Sequence, residues 1–164
     1  MKSITIISLL LILGLNSFGQ NHDLLIRAEV LRNNEVGKMF IYGKWTNEGG
    51  GETHLKYLGK FSTTDGRTFK IMTSTWYWGM SKRATSRILV FNDKDQYLGN
   101  YYVGMVDELP YKLDGSELKF NPTKCGEIKT FNTDFKNGLS KSIYVGCKGE
   151  NGEGIRGDFY SFNS

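Results

Sequence analysis

Apolar and polar residues alternate with a period of two along much of this chain, and no long stretch repeats apolar residues at helical spacing. One run sets Leu24, Ile26, Ala28 and Val30 against Leu25, Arg27, Glu29 and Leu31. Another sets Met39, Ile41, Gly43 and Trp45 against Lys38, Phe40, Tyr42 and Lys44. A third sets Leu55, Tyr57, Gly59 and Phe61 against His54, Lys56, Leu58 and Lys60. Such alternation predicts strands with one apolar and one mixed face.

The links between runs carry turn chemistry. "TNEGGGET" follows the Met39 run, "TTDG" precedes Arg67, and "FNDKDQ" separates Ile88–Phe91 from Tyr97–Val103. "LDGSEL" holds an Asp-Gly pair of the kind found in two-residue hairpins, and "KGENGEGI" joins Ile143–Cys147 to Ile155–Phe162. Short strands at this spacing predict an all-β fold, an antiparallel β-sandwich or small β-barrel of about nine to ten strands. A short helical turn is expected near Asp134–Leu139.

The ends change the picture. Lys2 followed by the apolar run Ile4–Leu15, with small residues at Ser17 and Gly19, matches a secretory signal peptide over residues 1–19. The run is short for a membrane span. Residues 20–164 are then expected to form a single β domain, secreted or periplasmic, with no membrane insertion after cleavage. Cys125 and Cys147 are expected to form one disulfide, closing a loop of about 23 residues and tying the segment with Phe131 and Phe135 to the C-terminal hairpin. The whole chain carries a net charge of +4. This mild excess gives no reason to expect a nucleic-acid partner.

Few residues have the arrangement that chemistry requires. Only His22 and His54 are available as imidazoles, and neither belongs to a metal-binding spacing. Asp93 and Asp95 resemble the start of a calcium loop, but the Gly and Glu such a loop needs are not in place. "GENGEG" lies in a hairpin, so it is no phosphate cradle, and Arg156–Asp158 spells an adhesion tripeptide within a predicted strand. There is no G-x-S-x-G elbow, and the scattered carboxylates form no evident pair. No catalytic residue, metal or cofactor is assigned. An acid beside His54 would reopen the question of an enzyme.

The distinctive stretch is "TSTWYWGMSKRATSR", Thr73–Arg87. Regular alternation from Arg67 to Trp78 places Phe69, Ile71, Thr73, Thr75 and Tyr77 on one face. Thr68, Lys70, Met72, Ser74, Trp76 and Trp78 fall on the other, with the two indoles about 7 Å apart. A bulge between Ile71 and Trp76 would reverse this and bury the pair. The pair is therefore core, an oligomer contact or a stacking platform. From Gly66 to Asn92 there are 27 residues without an acid. "MSKRATSR" is expected to form a basic loop beside the rings. The candidate ligand-binding residues are Trp76, Trp78, Tyr77, Lys70, Lys82, Arg83 and Arg87, suited to a glycan or anionic envelope ligand. The alternative is a protein partner, with the chain as an inhibitor or immunity-type protein of an exported enzyme. It would then use protruding loops such as "TNEGGGET" and "VDELPYKL".

Overall fold

The structure, a computed structural model, describes residues 22–164. The signal segment expected over residues 1–19 lies outside the described residues. The first element corrects the alternation read there: residues 22–33 form a helix, α1. Ile26, Val30 and Leu31 are buried, while Leu24 and Leu25 are exposed. The buried positions are four and five residues apart, which is one face of a helix. The window "LLIRAEVL" fits both periods. Its Leu, Arg, Ala and Glu are good helix formers, and Asp23 and Arg27 pair one turn apart at 3.1 Å.

Ten strands follow: β1 (Met39–Gly43), β2 (Gly51–Ser62), β3 (Thr68–Trp78), β4 (Arg83–Asn92), β5 (Tyr97–Val103), β6 (Lys112–Asp114), β7 (Glu117–Lys119), β8 (Thr133–Asp134), β9 (Ser142–Lys148) and β10 (Gly154–Asn163). Seven make one antiparallel sheet in the order β1-β2-β3-β4-β5-β10-β9, and β6-β7-β8 make a second, smaller one. β1 and β9 remain the two edges of the large sheet, so the arrangement is sandwich-like and not a closed barrel.

The large sheet buries apolar residues on both faces. One face carries Ile71, Ile88, Val90, Tyr101, Ile143 and Val145 against Leu118, Phe120 and Phe135, from β7 and the segments flanking the small sheet. The other carries Leu55, Tyr57, Met72, Leu89 and Phe91 beneath Ile26, Val30 and Leu31 of α1.

Two details correct the expected faces. In β2 the register passes from Tyr57↔Met72 to Gly59↔Ile71, leaving Leu58 as a bulge. Leu55 and Tyr57 therefore face α1, whereas Leu58 and Phe61 join the opposite core. Glycine suits the site because Gly59 sits at φ +121°. In β1 it is Phe40 and Tyr42 that pack toward α1, and Met39 and Ile41 are exposed. The turn after Asp134 is not helical; Gly138 N–H closes it on the Phe135 carbonyl at 2.9 Å.

Cys125 and Cys147 form the disulfide, across a sequence separation of 22. Beside it, Phe131 N–H donates to the Gly146 carbonyl (2.9 Å) and Lys148 N–H to the Lys129 carbonyl (2.7 Å), so this segment runs along part of the β9 edge. Replacing both cysteines with alanine is expected to lower the unfolding free energy by about 3 kcal/mol, the loop-closure contribution for a loop of this length. Denaturant titration of both proteins, with the slope fitted for each because the unbridged unfolded chain is more expanded, would measure it.

Candidate functional site

α1 covers only part of its face of the sheet. Along β3 this face reads Lys70, Met72, Ser74, Trp76 and Trp78, and the α1 core includes only Met72. β3 is regular: its pairing with β4 runs unbroken from Phe69↔Asn92 to Trp78↔Arg83. The bulge that could have hidden the tryptophans falls in β2 instead. Trp76 is 44% exposed and Trp78 is half-buried. β4 adds Arg83, Thr85 and Arg87, which stand opposite Trp78, Trp76 and Ser74, and β5 adds Tyr102 opposite Arg87.

The rings are held in place. Trp76 and Trp78 stack with centroids 5.7 Å apart and planes at 24°. Trp78 Nε1 donates to Thr85 Oγ1 at 3.1 Å. Trp76 lies over Gly51, where an added Cβ would come within 2.8 Å of its Nε1. The Arg83 guanidinium sits 5.4 Å from the Trp78 ring centre, and that of Arg87 5.7 Å from the Tyr102 ring centre. Asp23, Arg27, Thr53, Ser74, Trp76 and Arg87 line a groove of about 370 Å³ between α1 and the sheet. Asp23 is engaged by Arg27. Among the described residues, neither Arg83 nor Arg87 is in a salt bridge. Their guanidinium donors remain available to a carboxylate or sulfate.

The fold thus brings Trp76, Trp78, Arg83 and Arg87 together and separates the other three candidates from them. Lys70 shares the face but lies six residues from Trp76, about 20 Å along the strand. It pairs with Asp95, and Met72 beneath α1 lies between. Tyr77 points to the opposite face, and Lys82 belongs to the β3–β4 turn. Only Met80–Lys82 of the expected basic loop is a turn, and its remainder, Arg83–Arg87, is a strand: β3 runs to Trp78 and β4 starts at Arg83, leaving Gly79–Lys82 between them. Tyr102 and Arg27 are the residues that sequence reasoning missed. Tyr102 meets Arg87 only through the β4–β5 register, and Arg27 reaches the groove only because its segment is a helix.

Tyr77 and Lys82 join a second cluster behind the hairpin. Lys82 Nζ lies 5.0 Å from the Trp45 ring centre and 5.4 Å from that of Tyr77. Trp45 Nε1 donates to the Gly79 carbonyl at 2.7 Å, and Tyr77 meets His54 edge-on at 5.0 Å. His54 Nε2 is 2.6 Å from Glu52 Oε1. This is the acid beside an imidazole that would reopen the question of an enzyme. Thr75 stands across from His54 in the β2–β3 register. The cluster anchors the turn that carries the tryptophans.

The remaining motifs have local partners. Asp95 pairs with Lys70, and the Asn92 side chain accepts from the backbone N–H of Lys94 and Gln96, which shapes the hairpin. Among the described residues, no group of three His, Cys, Asp or Glu is placed to hold a metal ion. Arg156 lies at φ +49° in the β10 irregularity, and Asp158 Oδ2 is 3.4 Å from Lys124 Nζ.

Three outcomes are expected. Coupling between the stacked indoles should give an exciton couplet in circular dichroism, lost on either Trp76→Phe or Trp78→Phe. In a Trp45→Phe background the remaining emission should be red-shifted and strongly quenched by acrylamide. The hydrogen bond from His54, and after it one from the Trp45 backbone, hold the Glu52 carboxyl below the usual glutamate range. Its titration, followed by NMR, should move upward in His54→Ala. Comparison of this chain with protein-family models, with curated proteins and with solved structures finds no match.

Proposed function

We propose that this protein is an exported, non-enzymatic module that binds a glycan bearing acidic groups on the Trp76–Trp78 face. The observation that carries this reading is a pair of stacked indoles, Trp76 exposed and Trp78 half-buried, flanked by two arginines that have no carboxylate partner among the described residues. Flat rings offer their faces to the C–H surface of a sugar. A guanidinium offers paired donors to a carboxylate or sulfate. Neither feature helps the fold by being exposed. An uncovered Trp forfeits burial that would favour folding.

Export is part of the reading. The Cys125–Cys147 disulfide suits an oxidising compartment, and the pattern of residues 1–19 suits a secretory leader. Among the described residues, no helix is long and apolar enough to cross a membrane.

A protein partner is the second reading. Trp, Tyr and Arg are the side chains that most often dominate protein interfaces, and Met80 stands exposed at the tip of the β3–β4 turn beside them. The two readings differ in what Met80 does. Met80→Ser should leave glycan binding unchanged and should weaken docking of a protein.

The deciding experiment is calorimetric titration of neutral, uronate-containing and sulfated oligosaccharides. Arg87→Ala should weaken binding of an acidic glycan about tenfold or more, the loss of one charge-assisted hydrogen bond of about 1.5–3 kcal/mol. Trp76→Ala/Trp78→Ala should abolish binding while the disulfide-bonded fold persists. Full binding by that folded double variant would exclude this face as the site.

A further inference from the structure

The face that carries Trp76 continues across the sheet to β9. Tyr102 shares it, because it pairs with Arg87. Asn163 of β10 pairs with Asn100 of β5, which lies on this same face opposite Leu89. Alternation back along β10 then places Ser161 and Phe159 here too. Tyr160 and Phe162, between them, pack into the opposite core, as they should. Phe159 pairs with Tyr144 of β9, whose neighbours Ile143 and Val145 also face the opposite core.

The registers set the order of these residues. Ser74, Arg87 and Tyr102 share one level, and counting along β10 from Asn163 puts Ser161 and its partner Ser142 on that level as well. Two residues further along each strand lie Trp76, Thr85, Phe159 and Tyr144. Trp76 and the Phe159–Tyr144 pair are thus ends of one row that runs perpendicular to the strands. β10 hydrogen-bonds to β5 only at Phe162 and Asn163, so Phe159 stands just past the paired stretch. It is 75% exposed. Arg87 and Tyr102 (49% exposed) flank one side of the row, and Trp78 and Arg83 the other.

Both ends of the row rest on glycine. Trp76 lies over Gly51. The Tyr144 ring occupies the space that side chains at Gly146, Gly154 and Gly157 would need, since a Cβ at any of them would come within 2.5–2.7 Å of a Tyr144 ring or hydroxyl atom. Phe159 packs against Tyr144 at 5.0 Å, and Phe131 supports Tyr144 edge-on at 5.6 Å. Three glycines around one tyrosine cost the hairpin conformational order. No interior packing needs them, because the ring lies on the outer face of the sheet. What they do is let an aromatic ring lie close against the backbone.

From this we infer that the ligand is an extended acidic polysaccharide chain, lying across the strands from Trp76 to Phe159 and Tyr144, with its acidic groups reaching Arg87 on one side and Arg83 on the other. The inference rests on the glycan reading above and adds chain length and direction to it. From β3 to β9 is four strand spacings, about 19 Å. A pyranose chain repeats at close to one strand spacing, so such a chain would need about four sugar residues to bridge the two aromatic ends. The charge complementarity is local: the row has an arginine on each flank, and neither has an acidic partner among the described residues.

The test is calorimetric titration of the protein with size-defined oligogalacturonates and, separately, heparin-derived oligosaccharides, each from disaccharide to octasaccharide. These two arms distinguish carboxylate from sulfate as the acidic group. In the arm that binds, affinity should rise at least tenfold from disaccharide to hexasaccharide and then level off. Phe159→Ala removes a side chain that is mostly in water, so the fold should survive; it should reduce hexasaccharide affinity to near that of the disaccharide. Tyr102→Ala provides a second exposed position and should weaken every length equally. Equal affinity for disaccharide and hexasaccharide, or unchanged hexasaccharide binding by Phe159→Ala, would overturn the extended site. If Trp76→Ala abolishes binding while Phe159→Ala does not, the extension fails and the Trp site stands. If Trp76→Ala binds like the parent protein, or if neither arm binds, both readings fail.

Discussion

One constraint organises this fold. A seven-stranded sheet has two faces to cover, and on one of them the described chain supplies a single helix. Twelve residues of α1 span about 18 Å. Ile26, Val30 and Leu31 seal the part of the sheet around Met72 and Leu89, and beyond Ser74 the helix covers the sheet only in part, with Ile26 and Asp23 lining a gap beside Trp76. The rest of that face has to tolerate water. It does so with residues of mixed character: Thr85, Arg83 and Arg87 bring polar groups, and Trp76, Trp78 and Tyr102 bring rings with polar tips. The candidate site is thus the part of the sheet that the helix leaves open.

The opposite face is closed by different means. Three short strands and their flanking loops contribute Leu118, Phe120 and Phe135, and segments this short need help to stay in place. Part of that help is the disulfide, which ties the Thr123–Cys125 turn to β9. Part is Glu108, buried at one end of this layer. Its carboxylate accepts from the Tyr160 hydroxyl at 2.5 Å and the Met105 N–H at 3.1 Å, and it pairs with Lys124 beside Cys125. Burial, together with the Glu108 hydrogen bond, holds the Tyr160 hydroxyl above the usual phenol range. Covalent and ionic ties therefore converge on the same corner of the molecule and fix the C-terminal hairpin. That hairpin presents Phe159 and Tyr144 on its outer face.

Two of the three register breaks in the large sheet matter because they sit where they do. Leu58 interrupts β2 so that apolar residues from one strand serve both cores. The β10 irregularity, between Ile155 and Asp158, lies beyond Phe159 and leaves the Phe159↔Tyr144 pairing intact. β3 carries no bulge, and its unbroken alternation keeps Trp76 and Trp78 on one side and Tyr77 on the other. A one-residue slip in this strand would have exchanged the outward indoles for a buried pair.

What the sequence determined by itself was local. Turn residues and period-2 runs marked most strands and their links, two cysteines in a chain with a leader-like start indicated one bridge, and alternation sorted the faces of β3, because such signals act between near neighbours. The helix at residues 22–33 escaped that logic, since eight residues can satisfy both periods until a partner surface selects one. Only tertiary structure decided that Leu58 is a bulge, that the basic stretch from Arg83 to Arg87 is a strand, and that Lys70 stands apart from Trp76. It alone placed Tyr102, Phe159 and Tyr144 on the face of the tryptophans. Those residues are far apart along the chain, and the order in which strands pair, which sets their spacing, is a property of the whole packed sheet and of no single segment within it.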